Sequence, residues 1–298
     1  MNFNHILAII KPKVLLWFTV STCLGFSAMI LQKVPDYNFV FLVVVISLVN
    51  IGAILINDIG DIDVDMASPE LSKRDRLIAS GKISEKTAWS YVCIVFLLAL
   101  VISIFHSIYA FVFVMIIMVF SYVYSIPPLR FCERPYGSIL YWIILIGTCY
   151  IMMYITLNES IEVSIISQFS SVVFTSGVVF FIGIAEIIAK DLRDYKNDII
   201  GGRNTFVNHL GIRKVCWVMI VTAWIGIILW GLSFFISSNP INIFSSMCIV
   251  VGIIWCIRVT TRGISLIKKY HQPLAKTLHA DWTMIYAIMQ ILTFLAFI

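Results

Sequence analysis

Residues 37–65 read YNFVFLVVVISLVNIGAILINDIGDIDVD. From 37 to 57 the stretch carries no charge, and about 20 apolar residues in helical conformation cross the roughly 30 Å of a bilayer's hydrocarbon. The run then ends abruptly in Asp58, Asp61, Asp63 and Asp65. It therefore reads as a membrane-crossing helix that leaves the bilayer with a cluster of carboxylates on its last turns.

The rest of the chain repeats the pattern. Of 298 residues 60% are hydrophobic and only 12% charged, about half the charge of a water-soluble globule. That composition excludes a soluble domain, a disordered chain and a soluble nucleic-acid binder, despite a net charge of +5. Nine apolar runs emerge: 13–32, 37–57, 86–104, 107–125, 138–157, 163–189, 213–236, 240–258 and 280–298. With the N-terminus in the cytoplasm, 20 of the 21 lysines and arginines fall on the cytoplasmic side, Lys33 alone lying outside. This asymmetry is the positive-inside pattern. The expected fold is all-α: a polytopic membrane protein with N-terminus inside and C-terminus outside. A single transmembrane domain spans 1–298, with cytoplasmic cap loops at 58–85 and 190–212. The membrane is a cell inner membrane or an organelle membrane, and membrane lipids are its first partners. The seven cysteines are scattered, form no CxxC pair and read as small core residues. Met1 to His5 lack a basic n-region and a cleavage site, so no signal peptide is expected.

The sixth run ends in Ala189-Lys190-Asp191-Leu192-Arg193-Asp194-Tyr195-Lys196-Asn197-Asp198. Asp58, Asp61 and Asp65, and again Asp191, Asp194 and Asp198, stand at i, i+3 and i+7, so on a helix each trio lies within an arc of roughly 60°. The identical offset fits a distant internal repeat or convergence. Asp63 falls off the acidic face and reads as a solvated charge. Three carboxylates on one stripe repel each other at a membrane edge unless a cation joins them. Magnesium suits hard oxygen ligands and substrate phosphates, and the His and Cys that zinc or copper would call for are absent here. Two stripes leaving the membrane at one surface suggest two metal ions clamping one diphosphate. The basic residues beside them, Lys73, Arg74, Arg76, Lys190, Arg193 and Arg203, suit a leaving diphosphate, and equally serve as topology anchors.

Asn57-Asp58-x-x-Asp61-x-x-x-Asp65, then Arg76-x-x-x-x-Gly81, then Tyr124-Ser125-Ile126-Pro127-Pro128-Leu129-Arg130, then Lys190-Asp191-x-x-Asp194-x-x-x-Asp198-x-x-x-Gly202 resembles the intramembrane prenyltransferases of the UbiA type. The resemblance covers almost the whole chain. It departs where Leu77 follows Arg76 in place of the family's proline, and in a longer stretch between Asp65 and Arg76. It implies a ring of transmembrane helices around a central cavity. The implied reaction is transfer of an isoprenyl group from a prenyl diphosphate to a lipophilic or aromatic acceptor of the quinone-precursor, chlorophyllide or carotenoid type. The implied cofactor is Mg2+, held by Asn57, Asp58, Asp61, Asp65, Asp191, Asp194 and Asp198. Lys73, Arg76, Arg130 and Lys190 are the implied diphosphate contacts, with Asp61, Asp194, Arg76 and Tyr124 closest to the chemistry.

An allylic diphosphate ionises when fixed cations meet the charge on its leaving oxygens, and the carbocation then needs a dry pocket with aromatic faces. Tyr122, Tyr124, Tyr141, Trp142, Phe180 and Phe181 are candidate walls, or ordinary packing residues. Glu186 reads as an acceptor-orienting or proton-accepting group, or as a structural carboxylate. His106, His209, His271 and His279 are assigned no role. Residues 262–276 read as an interfacial helix. Two rival functions share these features: a membrane terpene cyclase needing no acceptor, and a cation transporter.

Overall fold

The computed structural model describes residues 11–12, 15–32, 38–158, 164–239 and 241–298. All regular structure among them is helical. Helix α1 begins as a π-turn, Leu15–Val20, and continues through Ser21–Leu31. Then come α2 (Asn38–Gly60), the short α3 (Ile62–Ala67) and α4 (Leu71–Arg74), α5 (Glu85–His106), α6 (Ile108–Ser125) and α7 (Gly137–Asn158). Helix α8 (Ile165–Ile200) contains a π-turn at Val179–Glu186. The short α9 (Phe206–Leu210) precedes α10 (Ile212–Ile236), α11 (Ile243–Lys268) and α12 (Gln272–Leu295).

Seven helices, α2, α5–α8, α10 and α11, are long and apolar enough to cross a membrane. They match seven of the nine expected runs. Helix α1 holds a shorter apolar stretch, Phe18–Leu31, and α12 is 24 residues long but opens on polar turns. Outward-facing Leu97, Phe105, Ile165, Phe235 and Ile254 are more than half exposed, an arrangement suited to hydrocarbon and not to water.

Starts and stops follow local chemistry. The Ser84 and Ser164 side chains accept from the backbone N–H groups of Thr87 and Ser167, and Asn242 forms a capping box with Ser245. Helix ends extend past the apolar runs: α11 continues ten residues beyond the expected 258, and α8 eleven beyond 189. The expected interfacial helix at 262–276 is therefore the end of α11 and the start of α12, separated by a turn at 269–271. Arg258 and Arg262 on α11 both pair with Asp281 on α12, at 2.8 and 3.0 Å.

The core is a file of aromatic side chains. Phe26 meets Phe174 edge-on at 5.2 Å, Phe174 meets Trp230 at 5.0 Å, and Trp282 packs against both Phe181 and Trp255. Helices α8 and α10 approach closely at Gly177 and Gly226, where a Cβ on either would stand within 3 Å of the other helix's backbone. All seven cysteines are free. Five are buried, in line with a packing role, whereas Cys93 is exposed.

Candidate active site

The acidic end of α2 and the polar last turns of α8 meet. Gly201 follows α8 and packs against Val64 of α3, so closely that a Cβ on it would lie 3.2 Å from the valine side chain. Gly60 is equally constrained: a Cβ there would meet the Ser125 carbonyl at 2.5 Å, so glycine lets the end of α2 rest on the end of α6.

Cations tie the two stretches together. Arg203, following α8, donates to Asp61 of the first stretch and stands 4.0 Å from Asp198 of the second. Lys73 on α4 crosses the other way to Asp194, at 3.1 Å. Arg76 pairs with Asp65 at 2.8 Å and lies 3.5 Å from Asp58, which also receives Lys11 at 2.6 Å. Arg193 forks onto both oxygens of its neighbour Asp194. Asn197 donates to Glu70 at 2.9 Å, and Lys276 reaches the other oxygen of Glu70 at 2.8 Å.

Each sequence candidate has a definite place. Asp65, Asp191 and Asp198 are buried, Asp58, Asp61 and Asp194 partly so, and Asp63 is exposed. The Asn57 carbonyl accepts from the Asp61 N–H at 2.9 Å. Lys190 lies within electrostatic reach of Tyr124 and Asp191. Tyr124 is bonded to Ser138 at 3.2 Å and stacked on Tyr141 with ring centroids 4.1 Å apart. Arg130 donates to the Gly60 carbonyl and pairs with Glu133, so it braces the end of α2. Lys11, read from sequence as a topology anchor, belongs to the acidic cluster, as does Arg203. Their partners lie 47 and 142 residues away along the chain, a pairing that no local pattern signals.

The donor set consists of hard carboxylate oxygens, which fits magnesium by chemistry. In the arrangement described here those oxygens face lysine and arginine side chains. Among the described residues no three acidic, histidine or cysteine groups converge as a ready-made metal site.

Burial pushes the Asp65 carboxyl up to about 6, against the pull of Arg76. A carboxyl raised above its ordinary 3.8 contributes most stability below that value and loses it as pH rises through about 6. In magnesium-free buffer, the melting-temperature difference between Asp65→Asn and wild type should therefore shift in the variant's favour between pH 4 and 7, then level off. A difference independent of pH over that window contradicts the assignment.

Below the acids lies an apolar cavity walled by α1, α2, α6, α7 and α12. Its α2 wall runs from Ala53 to Val45, roughly 8 to 20 Å along the helix from Asp58 at 1.5 Å per residue. Phe18, Phe26, Trp142 and Tyr286 supply aromatic faces, and Met152 and Met153 lie farthest along α7. Of the aromatic walls expected from sequence, only Trp142 lines this space. Tyr122 is exposed against Trp89, and Phe181 is core packing. Phe180 lines a separate groove with Val172 and Val179. The polar lining is sparse: Asn50 donates to Thr19 at 2.7 Å, and the hydroxyls of Thr22 and Tyr286 pair at 2.9 Å.

A helical membrane protein whose two acid-rich helix ends close over an apolar cavity is the class defined by this geometry. Residues 15–266 match the model of the UbiA prenyltransferase family, and the chain belongs to that family. Over 278 residues it is 26% identical to a digeranylgeranylglyceryl phosphate synthase of Sulfolobus acidocaldarius, covering 91% of this chain and 94% of the relative. A synthase of the same name from Sulfurisphaera tokodaii is 23% identical over 225 residues, 74% of this chain and 75% of that one. The fold is shared with a UbiA homologue from Archaeoglobus fulgidus, whose structure was solved bound to GPP and Mg2+. The TM-score is 0.70 at 19% identity, with 98% of this chain and 99% of that chain covered. It is also shared with the apo UbiA homologue of Aeropyrum pernix, at TM-score 0.69 and 12% identity over 92% and 96% of the two chains.

Proposed function

We propose that the chain catalyses magnesium-dependent transfer of an isoprenyl group from a prenyl diphosphate to a lipophilic acceptor inside the membrane. The observation that carries this is the meeting of the two carboxylate stretches, cross-linked by Arg203 and Lys73, above an apolar cavity. Asp58, Asp61 and Asp65 from one stretch and Asp191, Asp194 and Asp198 from the other, with Asn57, are the residues that would hold magnesium. The metal supplies charge neutralisation for the diphosphate.

The chain's own groups do the rest. Lys11, Lys73, Arg76, Arg193 and Arg203 all sit on carboxylates, and each becomes available to diphosphate oxygens as those carboxylates turn elsewhere. Lys190 adds a further charge beside Tyr124. These cations stabilise the departing diphosphate more strongly as its negative charge grows, which lowers the barrier and not merely KM. The carbon–oxygen bond to diphosphate breaks, the acceptor forms a bond to that carbon, and the acceptor's proton is lost. Phe18, Trp142 and Tyr286 keep the cavity dry and present ring faces to the allylic cation.

The acceptor is proposed to be a prenylated glyceryl phosphate lipid, on the strength of relatives named as digeranylgeranylglyceryl phosphate synthases, one of them similar across nine-tenths of the chain. A quinone, chlorophyllide or carotenoid acceptor rests on the Tyr124–Arg130 loop, where Tyr124 and Arg130 are engaged with Ser138, Gly60 and Glu133.

The topology belongs to the same proposal. Nine crossings, counting α1 and α12, place the N-terminus, the site and its caps on the cytoplasmic side. In support, Lys11, four residues before α1, reaches Asp58 near the end of α2, so these two points share one face.

The test is incubation of purified protein in lipid nanodiscs with Mg2+, prenyl diphosphates of graded length and a panel of acceptors, read by mass spectrometry. The proposal expects the glyceryl phosphate lipid acceptor to gain one further prenyl group. Prenylated quinone precursor overturns the acceptor, cyclised hydrocarbon without acceptor makes the protein a cyclase, and ion flux without diphosphate release makes it a transporter.

A further inference from the structure

Glu186, His279, Arg193 and Asp194 form an unbroken chain of polar contacts beside the site. Glu186 ends the π-turn of α8 and is buried; His279 projects from the second turn of α12. His279 Nε2 lies 2.7 Å from Glu186 Oε1, and Arg193 Nη1 stands close to both ring nitrogens, 3.0 Å from Nδ1 and 3.5 Å from Nε2.

Arginine has only N–H donors to offer, so the imidazole meets it as the electron-rich partner. On its other side Nε2 faces the Glu186 carboxylate. The ring is thereby held between a carboxylate and a guanidinium.

Arg193 spends its remaining edge on Asp194: Nε donates to Oδ1 at 3.2 Å and Nη2 to Oδ2 at 2.5 Å. Lys73 adds a third contact, to Oδ1. Both oxygens of Asp194 are thus covered. For Asp194 to bind any other cation, the Nε/Nη2 edge must come away, while Nη1 remains free to stay on His279.

We propose that His279, braced by Glu186, is a positioning residue. It holds Nη1 of Arg193 as a pivot, so that the edge released from Asp194 turns onto a diphosphate oxygen without the guanidinium leaving the site. This rests on the proposed reading of the site as a diphosphate site. The π-turn contributes by setting Glu186 in register with His279; such turns frequently mark functional positions. His279 and Glu186 touch neither metal nor diphosphate, and act through Arg193.

The test uses the full chain in nanodiscs with two readouts: calorimetric binding of inorganic pyrophosphate in Mg2+, and prenyl diphosphate turnover. His279→Ala is expected to weaken pyrophosphate binding by about 10–100-fold, the usual cost of losing an outer partner of a ligand set. His279→Gln should bind close to wild type, because its amide can accept from Arg193 and donate to Glu186. Arg193→Ala should weaken binding, and adding His279→Ala to it should cost nothing more, since residues acting through one contact are non-additive.

Unchanged binding in His279→Ala overturns the inference. So do additive losses in the double variant, failure of the glutamine in a protein that melts like wild type, or a wild-type protein that binds no pyrophosphate. The expected pattern in a protein that makes no prenylated product upholds the pivot and sinks the prenyltransferase reading. Product formation with wild-type pyrophosphate binding in His279→Ala does the reverse.

Discussion

Asp61→Ala and Asp194→Ala are each expected to lower magnesium-dependent diphosphate release by about a hundred- to a thousand-fold or more, the scale seen when one preorganised charge-stabilising group is removed. Asp61 is the partner of Arg203, and Asp194 of Arg193 and Lys73. Each variant therefore removes an oxygen donor and also the anchor of a cation that crosses between the stretches. The loss should appear in kcat at saturating Mg2+ and not only in KM, because charge on the leaving group develops in the transition state. Asp63→Ala is the control: its side chain is exposed and off the acidic face, and turnover should stay near wild type. Melting temperatures separate lost chemistry from lost fold. Near-normal turnover in both variants would remove these carboxylates from the mechanism.

Gly226→Val is expected to destabilise the helix bundle by about 3 kcal/mol, the upper part of the range for overpacking a tight interior. A Cβ at 226 would lie 2.8 Å from the Phe181 nitrogen and 2.9 Å from the Gly177 carbonyl. Both are backbone atoms, so no rotamer change relieves the clash, and α8 and α10 must separate along the core that carries Glu186 and the second acidic stretch. Gly177→Val should behave alike, since its Cβ would meet the Trp230 nitrogen at 2.8 Å. Gly147→Ala tests the reasoning from the other side. Nothing lies within 4 Å of a Cβ there, and alanine in a helix interior gains up to about 1 kcal/mol over glycine. Thermal unfolding in detergent should rank Gly226→Val below wild type and Gly147→Ala at or above it.

What sequence reveals here is whatever repeats locally. An i, i+3, i+7 spacing already puts Asp191, Asp194 and Asp198 on one side of α8, and burial of Asp65 with exposure of Asp63 follows the same period. Uncharged runs mark the long spans for the same reason. Helix ends are less legible, because hydropathy falls where the bilayer stops, whereas backbone hydrogen bonding continues. Helix α11 runs on through Arg258 and Arg262 because Asp281 across the interface receives them. Least legible are pairings between distant residues. Arg203 with Asp61, Lys11 with Asp58 and His279 with Glu186 depend on how helices pack, and each of these basic residues read alone is an ordinary membrane-flanking charge. The cavity wall shows the same limit: Tyr122 and Trp142 look equivalent as aromatic residues in apolar runs, yet one faces outward and the other lines the interior.

The most direct measurement is anomalous diffraction from crystals grown with Mn2+ in place of Mg2+ and a non-reactive prenyl thiolodiphosphate. The account predicts a pair of manganese peaks between the Asp58–Asp65 and Asp191–Asp198 stretches, bridged by the diphosphate, with the prenyl chain directed toward Phe18 and Trp142. Manganese bound to one stretch alone, or diphosphate held away from both, contradicts it.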